Sequence, residues 1–228
     1  MVNKINIYIA GDSTAATKAL DKRPETGWGQ MIQEYFDSNV EIKNFAVNGR
    51  SSKSFIDEKY LDKIFESIKE DDFLLIQFGH NDQKTDWERH TEPFGSYKEY
   101  LTKYIVGARA AGAKPILLTS VHRRFFDQDE RIKDTHGDYL VAMRELALDM
   151  NVPLIDVAEK SKELFERIGI ENTKKIFLWL TAGENSNYPN GVEDNTHFCE
   201  EGAKAIAELI AKAIVGQQIK PLSELIKI

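Results

Sequence analysis

Ile5-Asn6-Ile7-Tyr8-Ile9-Ala10-Gly11-Asp12-Ser13 decides how this chain folds. An apolar run ends in a glycine and then presents a serine hydroxyl. That is the pattern of a first strand delivering a polar group to the C-terminal end of a sheet. In open α/β sheets, ligands bind at that end. A serine after a strand is ordinary by itself, because turns and helix N-caps favour it. Asn48-Gly49, Gly79-His80-Asn81-Asp82 and Asp194-Asn195-Thr196-His197 change its meaning. Together these segments supply a nucleophile, a base with an orienting carboxylate, and candidate oxyanion donors.

Strand-like and helix-like patterns alternate along the rest of the chain. Strand candidates are residues 4–10, Val40 to Ala46, Phe73 to Phe78, Pro115 to Val121 and Val152 to Ile155. Phe73-Leu74-Leu75-Ile76-Gln77-Phe78 is apolar on both faces, as a central parallel strand should be. Helical patterns cover Trp28 to Phe36, Leu61 to Ile68, Tyr97 to Ala111, Asp138 to Met150 and Glu201 to Val215. Alternating βαβ units predict a parallel sheet covered by helices on both faces, with right-handed crossovers. The expected fold is a three-layer α/β/α sandwich with about five strands, ordered 2-1-3-4-5 as in flavodoxin. No linker or repeat divides residues 1–228, so a single domain is expected. The segment 181–198 reads as a long loop before the last helix, and the residues after Gly216 as a loosely attached tail.

A length of 228 residues and 42% hydrophobic content allow a full core. The net charge of −7, with no long basic run, argues against nucleic acid or an acidic membrane as partner. A sugar held by a few local arginines remains compatible. Cys199 is the only cysteine, which excludes an intramolecular disulfide. No apolar run approaches the ~20 residues that span a bilayer. The start lacks the pattern of a signal peptide. These features predict a cytoplasmic protein. A leader cleaved from a longer precursor would make it a secreted one.

Acyl transfer needs an activated hydroxyl, a base to take its proton, and donors for the oxyanion. In that scheme Ser13 attacks the carbonyl, His197 takes and returns the proton, and Asp194 holds the imidazole tautomer. The backbone N–H groups of Ser13 and Gly49 and the side-chain amide of Asn81 receive the oxyanion. Asp194 and His197 could alternatively cap the last helix. The Gly-x-Ser pattern also occurs in the nucleophile elbow Gly-x-Ser-x-Gly of α/β-hydrolases, but Ala15 stands at its last position.

The constellation resembles the SGNH, or GDSL, hydrolases, whose four blocks would be Ser13, Gly49, Asn81 and His197. Gly11-Asp12-Ser13-Thr14-Ala15, Arg23-Pro24-Glu25-Thr26-Gly27-Trp28-Gly29, Asn48-Gly49-Arg50-Ser51-Ser52-Lys53-Ser54-Phe55, Gln77-Phe78-Gly79-His80-Asn81-Asp82 and Asp194-Asn195-Thr196-His197-Phe198 are similar to the rhamnogalacturonan acetylesterases. The resemblance runs nearly the whole length. It implies removal of acetyl groups from pectin-derived oligosaccharides, with neither metal nor organic cofactor. Thr14 stands where the usual block has leucine. Val121-His122-Arg123-Arg124 lacks a proline expected near its start. Other readings are an acetylesterase acting on xylan or other sugars, a general short-chain esterase or thioesterase, and an inactive carbohydrate-binding protein.

Arg50, Arg123 and Arg124 are candidate partners for a galacturonate carboxylate, because a guanidinium binds it bidentately. The alternative is solvated loop charge. Trp179, with Trp87, Phe125, Phe126 and Tyr188, could stack on sugar rings or fill the core. His80 is a further candidate for substrate binding, and is expected to support the Asn81 loop by hydrogen bonding. His80-x-Asp82 lacks the thiolates or clustered carboxylates of a metal site. His90, His122 and His136 read as surface or loop histidines.

Overall fold

The computed structural model describes residues 4–227. Ile5–Gly11 (β1) is the centre of the fold, and Ile7 to Gly11 are all buried. It pairs in parallel with Val40–Asn44 (β2), Ile7 opposite Ile42, and with Phe73–Gln77 (β3), Ile9 opposite Leu75. Lys114–Leu118 (β4) and Leu154–Ile155 (β5) continue the sheet in parallel, giving the order β2-β1-β3-β4-β5. This is the order that the alternating pattern predicts. A strand buried on both faces is apolar along most of its length, and β3 is buried throughout and apolar from Phe73 to Ile76.

Side-chain alternation divides the core between the two faces. Ile7, Ile9, Leu75, Ile116 and Leu118 pack beneath Trp28–Met31 (α1), Val157–Thr173 (α6) and Glu200–Gly216 (α7). Tyr8, Ala10, Leu74, Ile76 and Leu117 pack beneath Ser52–Asp57 (α2), Tyr60–Phe65 (α3), Lys98–Ala110 (α4) and Asp138–Asp149 (α5). The predicted helix at 28–36 divides, because Ile32–Tyr35 tightens into a 3-10 turn. The pattern reading misses α6. Its start is set by Asp156, whose carboxylate accepts the N–H of Glu159.

Two expectations are corrected. The segment 181–198 is not wholly loop. Phe177–Leu180 (β6) pairs antiparallel with Val192–Phe198 (β7), separate from the main sheet. Apolar residues stand only at the ends of β7, so alternation gives no strand signal. The tail is not loose either. Leu222 is fully buried, Ile226 bridges to Phe36, and the N–H of Lys227 donates to the Tyr35 carbonyl. No helix among the described residues is long and apolar enough to cross a membrane.

Truncating Leu222 to alanine should lower stability by about 2–5 kcal/mol, the usual cost of emptying a buried leucine site. Calorimetric unfolding of Leu222→Ala measures it. A loss below ~0.5 kcal/mol, typical of surface substitutions, would mean that the tail contributes no packing.

Candidate active site

The turn that carries Ser13 is built on Asp12. Its buried carboxylate accepts the Thr14 N–H at 2.9 Å and lies 2.8 Å from the Thr14 hydroxyl. Its backbone carbonyl accepts the N–H groups of Ala15 and Ala16. Burial raises the Asp12 pKa, against the lowering effect of the Thr14 hydrogen bonds. Gln77, at the end of β3, places its side-chain oxygen 3.1 Å from the Thr14 hydroxyl and accepts the Trp28 indole N–H at 2.8 Å. The turn around Ser13 is thereby held from both sides.

The Val47 N–H donates to the Gly11 carbonyl, so the chain after β2 runs alongside the Ser13 turn. Gly49 adopts φ +77°, where an L side chain is strained, and an added Cβ there would meet open space. The buried Lys18 ammonium lies 2.7 Å from the Asn48 side-chain oxygen and 2.7 Å from a Glu25 carboxylate oxygen. It ties the loop before Gly49 to the segment before α1. Next in the chain, the Asn81 amide donates to the Arg50 carbonyl at 3.0 Å. Asp82 is fully buried. Its carboxylate accepts the Ser52 N–H and hydroxyl and the Thr91 hydroxyl, and its carbonyl accepts the Tyr139 hydroxyl. Asn81 and Asp82 therefore join the Gly49 loop to the loop after β3.

Asp194 and His197 come from β7. Phe177 faces Phe198 and Trp179 faces Glu193, so residues 194–197 bulge out of the hairpin. One Asp194 carboxylate oxygen closes the bulge by accepting the N–H groups of Thr196 at 2.7 Å and His197 at 3.0 Å. The other lies 2.7 Å from His197 Nδ1, and His197 Nε2 lies 2.8 Å from Ser13 Oγ. Burial pushes the Asp194 pKa up, but the hydrogen bonds from His197 and its charge outweigh this and hold it at about 2. With the carboxylate on Nδ1, that nitrogen carries the proton and Nε2 is free to accept one from the serine. Asp194 does not cap α7, whose N-cap is Cys199 with no side-chain cap bond.

The arginines are placed differently from one another. The Arg50 guanidinium pairs with Glu58 at 2.6 Å and donates to the Asn48 carbonyl. Arg123 donates to the Thr135 hydroxyl at 2.8 Å and to the His80 carbonyl at 3.4 Å. Arg124 is buried and donates to the Thr173 hydroxyl, the Asn195 side chain and the Ile170 carbonyl. It also stacks on Trp179, whose indole N–H donates to the same Asn195 oxygen. The expected carboxylate partnership gives way for Arg124: its guanidinium braces the bulge at Asn195, between the two residues of the His–Asp pair. Trp179 serves the same brace.

The histidine readings are also corrected. His80, His122 and His136 are buried, not on the surface. The His80 ring makes no hydrogen bond to the Asn81 loop and instead meets the His136 ring edge-on, centroids 4.5 Å apart. Asp82 is engaged by Ser52 and Thr91, which separates it from His80 as a ligand pair. His90 is half-buried and bonds the Lys84 carbonyl and Glu92. The bracing roles of Lys18 and Asp82 were not legible in the sequence, because each partner lies on a distant segment.

Ester hydrolysis is the chemistry that such a hydroxyl–imidazole–carboxylate series serves. The GDSL-like Lipase/Acylhydrolase family matches residues 7–210. The chain belongs to this family and is a carboxylic ester hydrolase. It is 44% identical over 214 residues to the rhamnogalacturonan acetylesterase RhgT of Bacillus subtilis, covering 94% of this chain and 91% of that one. It is 41% identical to the "Probable rhamnogalacturonan acetylesterase YesY" of the same organism, over 92% of each chain. Among solved structures, the protein YxiM from Bacillus subtilis superposes with a TM-score of 0.82 at 27% identity. That match covers 95% of this chain and 57% of the other.

Burial raises the Asp82 pKa from 3.8 to about 7, against the hydrogen bonds of Ser52 and Thr91. The folded protein then binds more protons than the unfolded chain between these two values, so Asp82 makes stability fall as pH rises through that window. Asp82→Asn should flatten the pH dependence of the unfolding midpoint there. Parallel curves for wild type and variant would mean that Asp82 titrates as an ordinary carboxylate.

Proposed function

We propose that residues 1–228 form one SGNH hydrolase unit that removes O-acetyl groups from rhamnogalacturonan oligosaccharides. The hydrogen-bonded series Ser13–His197–Asp194 carries the chemistry of this reading. The similarity to RhgT supports the substrate. Ser13 Oγ attacks the acetyl carbonyl carbon while His197 Nε2 takes its proton. Asp194 stabilises the imidazolium that forms. The oxyanion lies against the N–H groups of Ser13 and Gly49 and the Asn81 amide. Collapse expels the sugar alkoxide, which takes its proton from His197. Water then repeats the sequence on the acetyl-serine and releases acetate. Trp87 and Phe125, both exposed on loops beyond β3 and β4, offer faces for sugar rings. The lone free thiol, Cys199, fits a reducing compartment and the cytoplasmic reading.

Acetate release from acetylated rhamnogalacturonan, xylan and mannan fragments tests the substrate. Rhamnogalacturonan should be preferred. Equal rates across the panel, or faster xylan turnover, would remove the pectin assignment. Ser13→Ala and His197→Ala should each lower kcat by roughly 10⁴–10⁶, because such groups act as a unit. Asn81→Ala should lower kcat by roughly 10²–10³ with KM little changed. Near-normal turnover by Ser13→Ala would refute the mechanism.

Arg124→Leu should impair uronate-bearing and neutral acetyl esters alike, since it loosens the Asn195 bulge. A KM increase confined to uronate substrates would return Arg124 to carboxylate recognition.

A further inference from the structure

The chain between β4 and α5 carries a cluster that the ester chemistry does not use. His122 follows β4, and its N–H donates to the Ser161 hydroxyl at 3.1 Å. Further along, one Asp134 carboxylate oxygen accepts the N–H groups of His136 at 2.7 Å and Gly137 at 3.0 Å, closing a tight turn. The two imidazoles and the carboxylate are brought together, with one potential donor atom from each lying within 4.8 Å of the others. His122 and His136 are only 5% and 3% exposed, while Asp134 is open to solvent. Nδ1 of His122 and both ring nitrogens of His136 are buried with no hydrogen-bond partner. A buried polar atom left unpaired is destabilising, so these nitrogens favour a partner. Sequence spacing does not explain the convergence; the fold does.

We propose that His122, Asp134 and His136 form a binding site for a divalent transition-metal ion of the zinc class. Two imidazoles and one carboxylate suit that ion, whereas magnesium and calcium prefer all-oxygen shells. Zinc bonds of about 2.1 Å place tetrahedral donors roughly 3.4 Å apart, so the ion would draw the three side chains inward by about an ångström. The exposed edge at Asp134 is the entry path and leaves a coordination position to water. The ion would fasten the 122–136 segment. That segment includes Arg123, which donates to the carbonyl of His80, the residue before Asn81.

The test is calorimetric titration of chelator-treated, full-length protein with Zn²⁺ and separately with Mg²⁺, joined to the visible spectrum with Co²⁺. One Zn²⁺ should bind per chain, raise the unfolding midpoint, and be displaced by no excess of Mg²⁺. Co²⁺ should give d–d absorption of a low-symmetry nitrogen–oxygen site. His136→Gln and Asp134→Asn should each weaken Zn²⁺ binding at least tenfold. Asp134→Asn keeps an oxygen for the turn, so its midpoint without metal should stay near wild type. Absence of binding to wild type overturns the proposal. Binding unchanged in both variants but lost in His197→Ala also overturns it, since the ion would then sit at the ester site.

Discussion

The placement of His197 depends on the burial of its neighbour Phe198. That ring packs 4.9 Å from Phe177 in the core, and the Phe198 carbonyl accepts the N–H of Thr26, just before α1. On the other side of the hairpin, Gly202 lies so close to Ile176 that a Cβ would stand 1.9 Å from its carbonyl oxygen. The hairpin is thus clamped between a helix start and the N-terminal segment. The bulge at residues 194–197 projects from a rigid base. A local carboxylate–backbone motif then sets the imidazole, so its aim is fixed by hairpin packing and the bulge together.

The other half of the site is held by buried polar links between segments distant in sequence. Asp82 binds the start of α2 to the loop after β3, Lys18 binds Asn48 to Glu25, and Gln77 binds Thr14 to Trp28. Removing one partner of such a link leaves the other buried and unpaired, which is why the links hold geometry more firmly than their net stability suggests. Donors for the oxyanion need that firmness, because their benefit depends on being aimed before charge develops.

The sheet order and the four strand-end segments were legible because they obey local rules. Apolar runs mark β1 and β3, and glycines mark the turns after them. The Ser13, Gly49, Asn81, Asp194 and His197 positions could therefore be named from residue type and order. What escaped depends on long-range partners. β7 carries polar residues over most of its length, so no alternation betrays it. Arg124 looked like loop charge because Thr173, its partner, ends the helix α6 that the pattern did not reveal. The tail buries Leu222 without a periodic signal. His122 and His136 read as surface or loop histidines, and only folding brings them together with Asp134.

The hydrogen bond between Ser13 and His197 spans 184 residues. During synthesis Ser13 leaves the ribosome 184 residues ahead of His197. At ribosomal speeds of about 5–20 residues per second, the two emerge roughly 10–40 s apart. The first strands can pair while the rest is being made, yet the hairpin cannot close until Phe198 has emerged. A nascent chain therefore holds Ser13 before His197 exists, and the two meet only in a later step, once the hairpin closes.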